Sequence, residues 1–287
     1  MDPLQLVRLE RLMSQGEGRA ELAIALIDGP VLLDHPDLAQ SQIKQLPAAS
    51  GGACVRPASV ACTHGTFVAG MLVARRGSEA PAICPGCTLL LRPIFTESRN
   101  GNGRMPSASP EELATAIRDA VTASANVINL SAALMQPSSR GERQLEQALD
   151  YAAQREVLVV AAAGNQGRVG SSAITRHPWV IPVTGCDLQG RPTTESNLGS
   201  SIGRNGLAAP GENIVSLGPD NKPQTSSGTS AAAPFVTGAI ALLWSEFPNA
   251  GAARVKLAVT RAGRRSRTTI SPPVLDAWGA YEAMSRS

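Results

Sequence analysis

Five short apolar runs constrain this chain more than any other feature: residues 23–27 (AIALI), 89–94, 127–130, 157–162 and 180–184 are largely aliphatic. Runs this short and this apolar read as strands covered on both faces, as in parallel sheets with helices on each side. Between them lie stretches of helical period. Residues 64–75 carry Phe67, Val68, Met71 and Leu72 on one face, and residues 110–124 open on Ser109 and Pro110, a favourable N-cap and first helical residue. Residues 141–155 give a third helix. Residues 230–247 give a fourth, nearly all apolar in its middle and therefore central and buried. The alternation predicts an α/β fold, a mainly parallel central sheet flanked by helices. Residues 39–61 and 97–108, rich in Gly, Pro, Ser and Ala without a period, read as surface loops.

Nothing in the 287 residues calls for more than one domain, taken as residues 21–287 behind a short lead-in of residues 1–20. A net charge of +3 leaves no nucleic-acid footprint, and no apolar run approaches the roughly 18 residues of a membrane span. The opening MDPLQLVRLERLM mixes Arg8, Glu10 and Arg11 among its leucines, unlike a secretory signal, so a cytoplasmic location is expected. Five cysteines, at 54, 62, 84, 87 and 186, are an odd number in a chain too large to need bridges for its core. Cys84 and Cys87 form a C-x-x-C, and with Cys54 and Cys62 four thiolates could surround zinc. Disulfides and unbonded thiols are the other readings, and the sequence leaves all three open.

Four segments sit where predicted elements begin or end. Asp28 closes the first strand, His64 opens a helix within Thr63-His64-Gly65-Thr66, Gly164-Asn165 follows the fourth strand, and Ser226 to Pro234 leads into the long apolar helix. Each alone has an ordinary reading as a turn, a cap or a packed side chain. Together they supply what a serine nucleophile needs: an imidazole base, an acid to orient it, and donors for an oxyanion.

With those residues in place the sequence resembles the subtilisin-like serine proteases from about residue 23 to about residue 284. The stretches HGTFVAG from His64 and GTSAAAPFVTG from Gly228 look like the family's two most specific signatures, in the subtilisin order Asp, His, Ser. The resemblance implies a three-layer subtilisin-like fold, with Ser230 as nucleophile, His64 as general base and acid, Asp28 as the orienting acid, and Asn165 in the oxyanion hole. It also implies that Ser131, Ala132, Ala133, Ala162 and Gly164 border the substrate. Two departures stand out. Asp28-Gly29-Pro30 replaces the family's usual Asp-Thr-Gly or Asp-Ser-Gly, and Asn129-Leu130-Ser131-Ala132-Ala133 stands where a Ser-Leu-Gly-Gly is common, so that methyl groups at Ala132 and Ala133 are expected to narrow the pocket.

The phrase IALIDGPV at residues 24–31 resembles the proteases of cyanobactin maturation, which cut precursors of ribosomally made peptides. The expected partner is thus a peptide or precursor-peptide substrate, with no nucleic acid and no membrane. Only 36 positions separate Asp28 from His64, little room for the helical insertion of the ring-closing members, so leader removal is favoured over macrocyclisation. A noncatalytic peptide-binding pseudoprotease is the alternative of another class. Glu79 is the only acid in residues 75–87, too few for an oxygen cage, so neither calcium nor any other cofactor is expected.

Overall fold

A computed structural model of the protein describes residues 2–47, 52–97, 108–131, 142–262 and 269–286. Its strands are β1 (Ala23–Asp28), β2 (Ile43–Gln45), β3 (Thr88–Pro93), β4 (Val127–Leu130), β5 (Leu158–Ala162), β6 (Val180–Cys186), β7 (Leu207–Pro210), β8 (Ile214–Leu217) and β9 (Pro223–Ser226). The helices are α1 (Pro3–Leu6), α2 (Leu9–Met13), α3 (Val60–Val73), α4 (Pro110–Thr122), α5 (Glu142–Gln154), α6 (Ala173–Arg176), α7 (Ser200–Asn205), α8 (Thr229–Glu246), α9 (Ala252–Arg261) and α10 (Ala277–Ser285).

Seven strands form one parallel sheet in the order β2-β3-β1-β4-β5-β6-β7, and β8 pairs with β9 as an antiparallel hairpin. The apolar runs hide a period of two. Ile24, Leu26, Leu89, Leu91, Leu158 and Val160 join one core, whereas Ala25, Ile27, Leu90, Ile128, Val159 and Ala161 join the other. Helices α3 and α8 cover the first face with Phe67 and Phe235, while α4 and α5 cover the second with Leu113, Ile117, Leu145 and Leu149. The strand order reverses at β1, which has β3 on one side and β4 on the other. Crevices beyond the carboxyl ends of strands at such a reversal are where open α/β sheets place their sites. Asp28 ends β1 at that point.

Two boundaries differ markedly from expectation. The helix expected to open at His64 begins at Val60, because Ser59 caps it by accepting from the Cys62 N–H (3.1 Å), so His64 lies one turn inside. The loop expected over residues 39–61 includes β2, whose Ile43 pairs in register with Leu89 at the sheet edge. Most of the loop expected over residues 97–108 lies outside the described residues. Residues 1–20 include α1 and α2, whose Leu6, Leu9 and Leu12 are buried in the first core, while Arg8 bonds Asp276 at 2.9 Å.

Cys54 and Cys62 form a disulfide, whereas Cys84, Cys87 and Cys186 are buried thiols, so the four-thiolate zinc reading does not hold. Among the described residues no helix is long and apolar enough to cross a membrane.

Candidate active site

Backbone contact between β1 and α3 brings Asp28 to His64. A Cβ on Gly29 would overlap the Ala61 carbonyl, and one on Gly65 would overlap the carbonyls of Gly29 and Pro30, so the helix lies directly on the turn after β1. The Thr66 hydroxyl fixes the same contact by accepting from the Leu32 N–H at 3.0 Å. Asp28 is fully buried; its Oδ1 accepts from the Gly29 N–H (2.6 Å) and lies 2.7 Å from His64 Nδ1. Its Oδ2 is buried without a hydrogen-bond partner. The sequence accounts for this: Gly29 brings no hydroxyl and Pro30 no N–H.

His64 Nε2 lies 2.9 Å from Ser230 Oγ, so the imidazole bridges the carboxylate and the hydroxyl. Burial alone would lower the His64 pKa. The charge of Asp28 and its hydrogen bond outweigh that, and the pKa is raised above its ordinary 6.5.

Ser230 is the second residue of α8, where backbone N–H groups have no acceptor within the helix. Pro234, four residues on, brings no N–H to the Ser230 carbonyl, which loosens the first turn around the hydroxyl. Gly228 caps the helix at φ +113°, a conformation L side chains rarely adopt. A Cβ there would stand 2.8 Å from Asn165 Nδ2. The two loops interlock: Thr229 N–H donates to Asn165 Oδ1 (2.9 Å), and Gly164 N–H donates to Thr229 Oγ1 (3.1 Å). With Oδ1 engaged, the Asn165 amide has its Nδ2 hydrogens to offer to an anion beside Ser230.

Ser131 directly follows β4, whose last residue Leu130 pairs with Ala161, and Ala162 is the last residue of β5. Both are buried, and Gly164 follows at φ +103°. Ser131 Oγ accepts from Asn129 Nδ2 (2.8 Å), and Thr237 Oγ1 donates to Asn129 Oδ1 (2.8 Å), so a buried amide ties this edge to α8. Ala132 and Ala133 lie outside the described residues.

A cleft of about 360 Å³ opens beside His64, Asn165 and Ser230, walled by Ala58, Val60 and Phe67 from α3 and the loop before it and by Gln224, Ser226 and Ser227 from β9 and the residue after it. Sequence reasoning singled out Phe67, Ser226 and Ser227 only within motifs and did not assign Ala58, Val60 or Gln224 to the walls. The Cys54–Cys62 bridge and the β8–β9 hairpin make them, and generic side chains such as Ala58 and Gln224 carry no motif. Among the described residues one group of His, Cys, Asp and Glu is close enough to hold a metal, namely Cys54, Cys62 and Glu97. Its two sulfurs are bonded to each other, and Glu97 accepts from the N–H groups of Val55 and Arg56 and from Ser59 Oγ. That set offers no cation site.

Comparison with known proteins places these observations. Residues 19–272 match the model of the subtilase family. The chain is 29% identical to subtilisin DY of Bacillus licheniformis over 258 residues, 88% of this chain and 87% of that one. Among solved structures, a serine-to-alanine mutant of the protease domain of PatA superposes with a TM-score of 0.86 at 30% identity, covering 94% of this chain and 97% of that one. The prenylagaramide maturation protease PagA gives 0.82 at 28% identity, covering 96% and 98%.

Proposed function

The chain belongs to the subtilase family and is a serine endopeptidase, and from that premise we propose that it cleaves the precursor of a ribosomally made peptide and removes its leader. The observation that carries the chemistry is His64 standing 2.7 Å from Asp28 and 2.9 Å from Ser230 beside an open cleft. In this reading Ser230 Oγ attacks the scissile carbonyl while His64 Nε2 takes its proton, and Asp28 holds the ring and stabilises the imidazolium. The Ser230 N–H and Asn165 Nδ2 receive the oxyanion. Collapse breaks the C–N bond, His64 returns the proton to the leaving amine, and water then releases the acyl group by the same relay. The acyl half of the substrate lies extended along Ser131, Ala132 and Ala133 and opposite Ala162 and Gly164.

Support for a precursor peptide comes from the likeness to PagA and to PatA, themselves maturation proteases. The short span of 36 positions between Asp28 and His64 favours hydrolysis over ring closure. The test is intact-mass analysis of candidate precursors after incubation with wild type and with Ser230→Ala, alongside labelling by a fluorophosphonate. A single cut and labelling, both lost in the mutant, are expected. A product lighter than the cut fragment by one water would mean cyclisation, and peptide binding with neither cut nor label would mean a noncatalytic scaffold.

A further inference from the structure

The positive charge of this protein is concentrated in one segment. Between Glu246 and Asp276 there is no acid, and residues 252–267 contain six basic residues, Arg254, Lys256, Arg261, Arg264, Arg265 and Arg267. Without them the other 20 basic residues are outnumbered by 23 acids, so the net charge of +3 belongs to this segment alone. Three of the six lie on α9, which carries no acid to offset them.

A cavity of about 380 Å³ opens where α9 meets α7 and the start of β6, lined by Trp179, Arg204, Lys256, Leu257 and Arg261. Lys256 is half-buried: its ammonium donates to the Pro178 carbonyl and stands 5.2 Å from the centre of the Trp179 ring. Among the described residues neither Lys256 nor Arg261 has a carboxylate within 4 Å. Burial pushes the Lys256 pKa down to about 8, the signature of an ammonium held partly out of water without a counter-ion. Leu257 is 48% exposed between this cavity and a second, more apolar groove formed with α10 by Ala258, Ala283 and Met284.

We infer that this face of α9 is a docking site for an acidic stretch of the substrate peptide, whose carboxylates pair with Lys256 and Arg261 while an apolar side chain enters beside Trp179 and Leu257. Charge complementarity selects an anionic occupant. The aromatic and aliphatic lining selects a peptide over a phosphate backbone, which would meet cations alone. The site stands at the far end of α8 from Ser230, about 25 Å away along an 18-residue helix. Because α8 is buried, a peptide must pass over the surface, and an extended one needs more than about eight residues to do so. Docking at α9 therefore raises the local concentration of a distant scissile bond without touching the chemistry.

This inference deepens the proposed reading and rests on it for its substrate, so its test has two arms. In the first, anisotropy follows a fluorescein-labelled peptide with aspartates and glutamates around a Leu-Phe pair, its Asn/Gln counterpart, and a single-stranded oligonucleotide. We expect the acidic peptide to bind at least ~10-fold tighter than the neutral one, and Lys256→Glu/Arg261→Glu to remove that difference. In the second, a cleavable peptide is assayed with and without the acidic stretch attached through linkers of graded length. The attachment should raise kcat/KM several-fold once the linker spans the distance. The double variant should lose only that gain and cleave the bare peptide as wild type does. Equal binding of acidic and neutral peptides, or unchanged binding by the double variant, overturns the site. Tighter binding of the oligonucleotide overturns the peptide assignment in favour of a nucleic-acid partner. No cleavage of any peptide, with charge-dependent binding intact, overturns the protease reading and supports the docking site.

Discussion

His64 is held between burial, which opposes its charge, and Asp28, which favours it, and the second prevails. Two opposite pH dependences follow. As the proposed base, His64 works only when neutral, so kcat/KM should rise with pH through a midpoint above 6.5. Asp28→Asn should move that midpoint down and lower kcat about 10⁴-fold, which a pH–rate profile on a fluorogenic peptide would check. A raised pKa stabilises the folded state fully below the unfolded value and ceases to do so as pH climbs past the folded one. Thermal melts of Ser230→Ala should accordingly show this contribution fading over the same range in which wild-type activity appears. The loss of the family's hydroxyl beside Asp28 also has a steric cause, since a side chain at 29 meets the Ala61 carbonyl. Gly29→Ser should therefore restore no hydrogen bond and instead destabilise by about 1–3 kcal/mol, read as a lower midpoint in urea. The sequence singled out Asp28, His64, Asn165 and Ser230, which the structure brings together, because each carries a chemical group that the proposed reaction requires. Gly29-Pro30 in place of the usual hydroxyl showed that Asp28 lacks a neighbouring donor, but not that α3 lies so close to the turn that a side chain at 29 has no room.

Helix α3 brings both His64 and one wall of the cleft, and the Cys54–Cys62 bridge ties the loop before it to its first turn. Closing a loop of this size stabilises by about 2–3 kcal/mol through the unfolded chain. Reduction by a dithiol, or Cys54→Ser, should loosen the wall at Ala58 and Val60 without touching His64. The expected result is a several-fold rise in KM with kcat nearly unchanged. An equal fall in kcat would mean that the bridge also aligns the imidazole. The same region shows why some elements could not be read. β2 has three residues, two of them polar, and β9 is Pro-Gln-Thr-Ser, so neither has the apolar run that revealed the five central strands. The start of α3 was obscured because its cap, Ser59, sits in a stretch that has the composition of a loop.

At the scale of the molecule, α2 of the lead-in lies against α8 and α10, with Leu9 and Leu12 fully buried. Leu12→Ala should cost about 2–5 kcal/mol of stability while leaving kcat/KM of the folded enzyme unchanged, a pairing that calorimetry and a steady-state assay would establish together. The layers were legible from the alternation of apolar runs and helices, whereas this packing was not, because a helix of four or five residues shows too little period. The order in which the site's parts occur along the chain bears on when activity arises. From Asp28 to His64 is 36 positions, but from His64 to Ser230 is 166. During synthesis the acid and the base emerge early and can pair while β5, β6 and the last helices are still unmade. Ser230, the proposed nucleophile, reaches them only when α8 packs against the sheet, so a copy halted before α8 would hold the imidazole with nothing to deprotonate, and cutting ability would wait on that helix.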